Sequence, residues 1–510
     1  MINSISVDNF RSLCNINNIE VKPITVLLGK NSCGKSSFLR IFPLLKQSIN
    51  SKVRGSISLF GDLVDFGEIS TVLNNSSSEK KDYIQFGFNG IIPKKSLYRT
   101  KLGNRIKISD EINYSISMKI KKYEEEDYLY ISEMKLEYNE DKIFISTNMK
   151  TKKIANFEIN GISFNKKFSE LRLGYFLDSS FFPEFFYEKN KQTSFFNPTI
   201  EILYNINESF NNLFSDFQLH RINQDLVDNL DKEILIENIK NILENDSKKC
   251  LSFTEKINKE PEILDKLHDI LKVRDFINIY DLITNSFCYD ISNICYSKPL
   301  RANTERFYRH QPLSVNEVEP DGANLVQFYS TMTSKEKNDF HSWMDKNFDF
   351  HYEIEKKTGF QSIIIKDSKT GEKHNINDMG FGFTQILPIV TQEWSLINKA
   401  NNFYRRKDTI FAIEQPELHL HPAFQCKLIK AFANSIKMAL ENKLSIRFIL
   451  ETHSETIVNY LGKLIERDEI KAEDISVLIF TKENNITEIS QSSFNEQGIL
   501  TNWPIGFFGE

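Results

Sequence analysis

Residues Gly29 to Ser36 read GKNSCGKS and match GxxxxGK[ST], the spacing at which a glycine-rich turn wraps backbone N–H groups around phosphate oxygens. Gly29 and Gly34 permit the close approach and unusual dihedrals of such a turn, Lys35 reaches the β and γ phosphates, and the Ser36 hydroxyl contacts magnesium. Lys30, Asn31, Ser32 and Cys33 contribute loop backbone, and Ser37 continues into the helix whose positive end faces the anion. The chemistry this pattern serves is the binding of a nucleoside triphosphate with Mg2+; ATP is the expected nucleotide.

Three further segments carry polar groups at the ends of apolar runs. Thr409 to Pro422, TIFAIEQPELHLHP, is an apolar strand ending in Glu414, where a carboxylate would support the metal beside the phosphate loop. Position 415 is glutamine, which orients a water but cannot accept its proton, so slow hydrolysis is expected, with Glu417 as a substitute base. Arg447 to Glu455, RFILETHSE, places His453 at a second strand end, within reach of a γ-phosphate or the attacking water, with Glu451 and Thr452 beside it. In Asp378 to Gln385, DMGFGFTQ, Gly380 and Gly382 open a helix and Gln385 follows, giving a second anion-binding N-terminus or, equally, a hinge. Arg301 and Arg306 either neutralise phosphate charge or form surface ion pairs.

The elements that must position these residues follow from periodicity. ITVLLG feeds the glycine loop, and SSFLRIFPLLKQSI continues from it at helical spacing, the strand–loop–helix context a phosphate loop requires. Apolar and β-branched runs separated by charged turns fill 71–198, predicting an antiparallel β-rich lobe. Apolar spacing of three to four predicts a helical insert over 199–297, with short bundled helices because no heptad pattern persists. From 298 to 510 strands and helices alternate again, implying a mostly parallel sheet completed by the strand from residues 1–70. The expected fold is therefore α/β: a nucleotide-binding head split into N- and C-terminal halves, with the β-rich lobe and the helical insert between them.

A net charge of −5 excludes a wholesale basic nucleic-acid binder, leaving DNA contact to a local patch such as the lysines at 119–122 and 152–153. No CxxC pair or short His/Cys cluster suggests zinc. No apolar run approaches the roughly 18 residues that span a bilayer, and no signal segment opens the chain, so a cytoplasmic protein without membrane contact is expected.

With these residues in place, the chain resembles the ABC-type AAA ATPases of the SMC/RecF/OLD group. NFRS at Asn9 to Ser12, GKNSCGKSS, GFGFTQILPIV, IEQPELHLHP, ETHSE and the closing NWPIGFFGE match one subfamily in order and spacing, over roughly 1–70 and 298–510. The resemblance implies that Lys35 and Ser36 bind phosphate and magnesium, that Glu414 supports the metal, that His453 is the switch histidine, and that Gly380, Gly382 and Gln385 form a signature-like segment. It implies a homodimer or higher homo-oligomer sandwiching nucleotides, and a sensor or scaffold role beside a separate nuclease or toxin, as in Septu-type and PARIS-type anti-phage systems. A nuclease domain of the Toprim kind is not visible. Two rival readings are a RecF-like clamp closing on DNA and a nuclease or toxin in its own right.

Overall fold

The computed structural model describes the chain apart from residues 52–54, 75–80, 100–104, 109, 124–127, 149, 151–152, 165–170, 175–180, 190–191, 195–197, 226–231, 244–245, 302–304, 310–312, 314, 358, 401–407 and 503–510. The WPIGFF stretch of the closing motif and Lys152 lie outside the described residues. The chain divides into two compact units.

One unit gathers 1–2, 51–57 and 85–289. Its long strands alternate buried and half-buried positions, as in Ile112–Tyr123 and Tyr128–Tyr138, the period of a sheet with one face covered. Tyr128–Tyr138, Asp141–Asn148, Lys153–Ile159, Leu171–Gly174 and Glu184–Lys189 pair antiparallel in sequence order. The helical segment belongs to the same unit. Its main element, Pro261–Ser292, is a single helix of 32 residues, which corrects the expectation of short helices only. Leu267, Ile270, Val273, Phe276, Tyr280, Ile283 and Phe287 are all buried and recur every three or four residues, so one face of the helix is an apolar stripe. Arg274, a charge that interrupts the apolar pattern, is buried and donates to the carbonyls of Ile222 and Asn223. Phe276 packs on Phe157 and Phe287 on Phe88, with ring centroids 5.1 and 5.0 Å apart, so helix and strands share one aromatic core.

The other unit gathers 3–50, 58–84 and 290–510. Its central sheet runs in the order Cys295–Ser297, Thr409–Glu414, Ile446–Glu451, Ile24–Gly29, Ile475–Glu483, Ile486–Phe494, Leu500–Thr501. The first five strands are parallel and the last two antiparallel. The N-terminal strand thus lies between two strands from the far end of the chain, the split α/β head expected from the sequence. ITVLLG, TIFAIE and IRFILE are buried at every position because helices cover both faces of a parallel sheet. One such helix, Pro422–Glu441, starts with proline at its first turn, and the His421 side chain caps it by accepting from Ala423 N–H. Register places Glu414 directly opposite Glu451, and Glu451 opposite Leu27, so three strands end together where the glycine loop begins. Ligands bind at that carboxyl edge in open α/β sheets. Among the described residues, no helix is long and apolar enough to cross a membrane.

Candidate functional site

The loop after Ile24–Gly29 uses glycine where geometry demands it. Gly34 has φ 105°, and a Cβ there would lie 2.5 Å from Thr487 Oγ1; a Cβ on Gly29 would lie 2.4 Å from the Phe480 carbonyl. Lys35 opens the following helix, is only 3% exposed, and donates from Nζ to the carbonyls of Gly29 and Lys30 at 2.9 and 2.8 Å. Ser36 Oγ donates to Glu451 Oε1 at 2.7 Å. One turn later on the same face, Arg40 grips Glu414, donating from Nε to Oε1 at 2.6 Å and from Nη2 to Oε2 at 2.8 Å.

Glu414 accepts a further bond from Tyr296 OH at 2.6 Å, and its carbonyl accepts from Arg301 Nη2 at 3.0 Å. The Glu414 hydrogen bond holds the Arg40 guanidinium above its usual pKa. Burial lowers that of Arg301 to about 10 and raises that of the Tyr296 phenol. Glu451, 4% exposed, is raised to about 7, first by burial and further by the neighbouring Glu414 charge, against the Ser36 hydrogen bond. Its second oxygen, Oε2, is buried without a hydrogen-bond partner.

Gln415 turns the chain at φ 44° and donates its N–H to the Glu451 carbonyl at 2.8 Å. Glu417 Oε1 accepts from the His453 backbone N–H at 2.8 Å. The exposed His453 imidazole has its pKa lowered, by partial desolvation and then by the Lys35 charge, which favours the neutral ring.

A cavity of about 460 Å3 opens over this edge. Of the residues singled out from the sequence, Asn31, Ser32, Gly34, Lys35, Ser36, Ser37, Gln415, Glu451 and His453 line it. Gly29, Lys30, Cys33, Glu414 and Glu417 are not among the residues that line it. The structure does not bring Gly380, Gly382 or Gln385 to the cavity. Instead a Cβ on Gly382 would sit 3.0 Å from the His419 carbonyl, and Gln385 is buried with Oε1 unpartnered. Arg306 pairs with Asp378 at the surface, the blander of its two readings.

Sequence reasoning quoted Arg11 and Ser12 within NFRS but gave them no role, and it passed over Arg40 and Lys482; all four line the cavity. Arg40 was findable from its i, i+4 spacing to Ser36, whereas Lys482 depends on the strand pairing of Ile475–Glu483 with Ile24–Gly29. With Arg40 balanced by Glu414, Arg11, Lys35 and Lys482 set three cations against the single lining carboxylate Glu451, a field suited to a polyphosphate. Magnesium takes oxygen ligands, and Ser36 Oγ with the strand-end carboxylate Glu451 offers them; the unpartnered Glu451 Oε2 is the oxygen such an ion would satisfy. Elsewhere His341, His351 and Glu353 bring metal-ligating atoms within 4.8 Å of one another, a grouping the sequence did not reveal. The two imidazoles stack at 4.3 Å and 20°, however, and a metal bound in the plane of one ring would lie well out of the plane of the other.

A family model for the AAA ATPase domain matches residues 1–458, running through the middle of the chain where no motif was recognised. Endonuclease GajA of Bacillus cereus (strain HuB5-5) is 25% identical over 300 residues, covering 52% of this chain and 42% of that protein, so the match spans less than half of the relative's length. Among solved structures, an Smc head domain with an extended coiled coil from Pyrococcus furiosus, bound to the C-terminal domain of ScpA, is 10% identical over 96% of both chains with a TM-score of 0.36. The SMC head domain from Thermotoga maritima is 8% identical over 96% of this chain and 98% of that one, with a TM-score of 0.35. Likenesses that loose carry no argument here.

Proposed function

The chain belongs to the AAA ATPase domain family, and from that premise we propose an ATP-binding, slowly hydrolysing ABC-type ATPase that acts as a dimer and controls a separate nuclease or toxin in bacterial anti-phage defence. The observation that carries nucleotide binding is the Lys35–Ser36 loop facing a cationic cavity at the carboxyl edge of a parallel sheet. Slow turnover rests on Gln415, an amide at the cavity wall where a general base would be useful. Within the site, Lys35 neutralises phosphate charge, Ser36 and a strand-end carboxylate hold the Mg2+, and His453 faces the outer phosphate. Bound magnesium would offset charge on the phosphate oxygens.

The effector reading draws on the relative that carries the name of an endonuclease. That same relative favours a second reading, in which this chain takes part in cutting DNA itself. Purified protein is assayed for oligomeric mass and phosphate release with Mg-ATP, and for metal-dependent cleavage of plasmid DNA without any co-purified partner. ATP-stabilised dimers with low turnover and no cleavage support the regulator. Cleavage by the isolated chain replaces that reading with the second, and absence of nucleotide binding overturns both. A DNA clamp would instead show salt-sensitive DNA binding; among its candidate lysines, Lys119 is paired with Glu133 at 2.7 Å, which suits a solvated strand face.

A further inference from the structure

Two carboxylates end side by side on the sheet, and only one is free to meet a cation. Both oxygens of Glu414 are taken: Oε1 accepts from Arg40 Nε and from Tyr296 OH, and Oε2 from Arg40 Nη2. A cation at Glu414 would have to displace a guanidinium or lie against it, and like charges at contact repel strongly in a partly buried site. Glu451 lies one strand over, in register with Glu414. Its Oε1 already touches Ser36 Oγ, the hydroxyl a phosphate loop gives to its metal, and its Oε2 is buried and unpartnered at the cavity wall. A buried carboxylate oxygen with no partner is costly unless something satisfies it.

We propose that Glu451, not Glu414, is the carboxylate that holds the nucleotide's divalent cation, while Glu414 neutralises Arg40 and anchors the turn that carries Gln415. The assignment rests on the nucleotide-binding reading above and refines the metal role expected for Glu414. The Gln415 N–H bond to the Glu451 carbonyl ties the two strand ends together, so the Arg40–Glu414 pair also holds the backbone behind Glu451.

The test uses the full chain, Mn2+ as a paramagnetic probe and a fluorescent ATP analogue, comparing Glu451→Gln, Glu451→Asp and Glu414→Gln. Free Mn2+ is followed by EPR in the presence of nucleotide, and analogue affinity is measured with and without the metal. Expected is a loss of Mn2+ affinity of more than about a hundredfold in Glu451→Gln, beyond what removal of a supporting partner produces. Metal-free nucleotide affinity should hold, and Glu451→Asp should recover part of the loss. Glu414→Gln should keep Mn2+ affinity within about threefold, less than loss of even a supporting partner gives. Should Glu414→Gln unfold, the paired substitution Arg40→Gln with Glu414→Gln removes the stranded charge and reads the same quantity. Loss of Mn2+ on removing Glu414 in a folded protein, or its retention in Glu451→Gln, overturns the assignment. Failure of the natural chain to bind the analogue at all would instead sink the nucleotide reading.

Discussion

Thr409–Glu414 and Ile446–Glu451 are neighbouring parallel strands, each fully buried and each ending in glutamate, yet their ends have opposite fates. The first is closed by Arg40, Tyr296 and Arg301, which use every strong acceptor that Glu414 offers. The second faces a 460 Å3 cavity with one oxygen on Ser36 and the other on nothing. The position of a carboxylate at a strand end therefore does not decide its chemistry. The decision lies with side chains brought from elsewhere: Arg40 from the loop helix, Tyr296 from the edge strand Cys295–Ser297, and Arg301 just beyond it.

The largest effect should come from the open side. Lys35→Ala removes the buried ammonium that the loop carbonyls hold. Nucleotide binding by the fluorescent analogue should vanish while the melting temperature changes little; retained binding would show that the cavity is not the nucleotide site. Next in size is the closed side. Arg40→Ala leaves the Glu414 carboxylate buried without its cation, and its side chain is 3% exposed against 34% for Arg40. Because the arginine is a third exposed, the loss should fall below that of a fully buried pair, at about 2 kcal/mol in denaturant unfolding. Adding Glu414→Gln should restore most of it, and failure to do so would mean that the pair is not what closes this strand end.

Both strands and the phosphate loop were legible in the sequence because two-sided burial writes itself as an unbroken apolar run, punctuated by glycine or proline. The pairing of the two ends was not legible. Tyr296 lies 118 residues from Glu414 in sequence, and Ser36 lies 415 residues from Glu451. Only the register of non-consecutive strands brings such groups together, and periodicity carries no register between distant strands. The helical character of Pro261–Ser292 was legible from its apolar spacing of three to four, but its length was not, because such spacing reports a helical face and not where one helix ends and the next begins.

A third buried carboxylate sharpens the comparison, since among the described residues it meets a hydroxyl and no cation. Glu393, inside Phe381–Ala400, is 0% exposed; Ser435 Oγ donates to its Oε1, and Oε2 has no partner. Burial raises its pKa from 4.5 to about 8. Between those values the folded chain holds a proton that the unfolded chain has released, so this group's contribution to stability falls as pH rises through the window. Glu393→Gln cannot titrate. Melting temperatures of the two proteins should agree near pH 4.5 and diverge toward pH 8, the variant becoming the more stable by several degrees. Parallel curves would mean that Glu393 is charged in the fold and that an unpartnered buried carboxylate need not seek a proton or a cation, which would weaken the case for Glu451 as well.

The smallest effect isolates burial from pairing. Arg306 and Asp378 form an ion pair at 3.2 Å, chemically akin to Arg40 and Glu414, but their side chains are 58% and 50% exposed. Water already solvates both charges, and holding two mobile side chains together costs conformational entropy. Arg306→Ala should therefore change stability by less than about 0.5 kcal/mol and leave nucleotide affinity unaltered, read by the same unfolding and fluorescence measurements as Arg40→Ala. If it instead destabilises as much as Arg40→Ala, charge pairing alone would account for the closed strand end, and the contrast between a sequestered Glu414 and an open Glu451 would lose its physical basis.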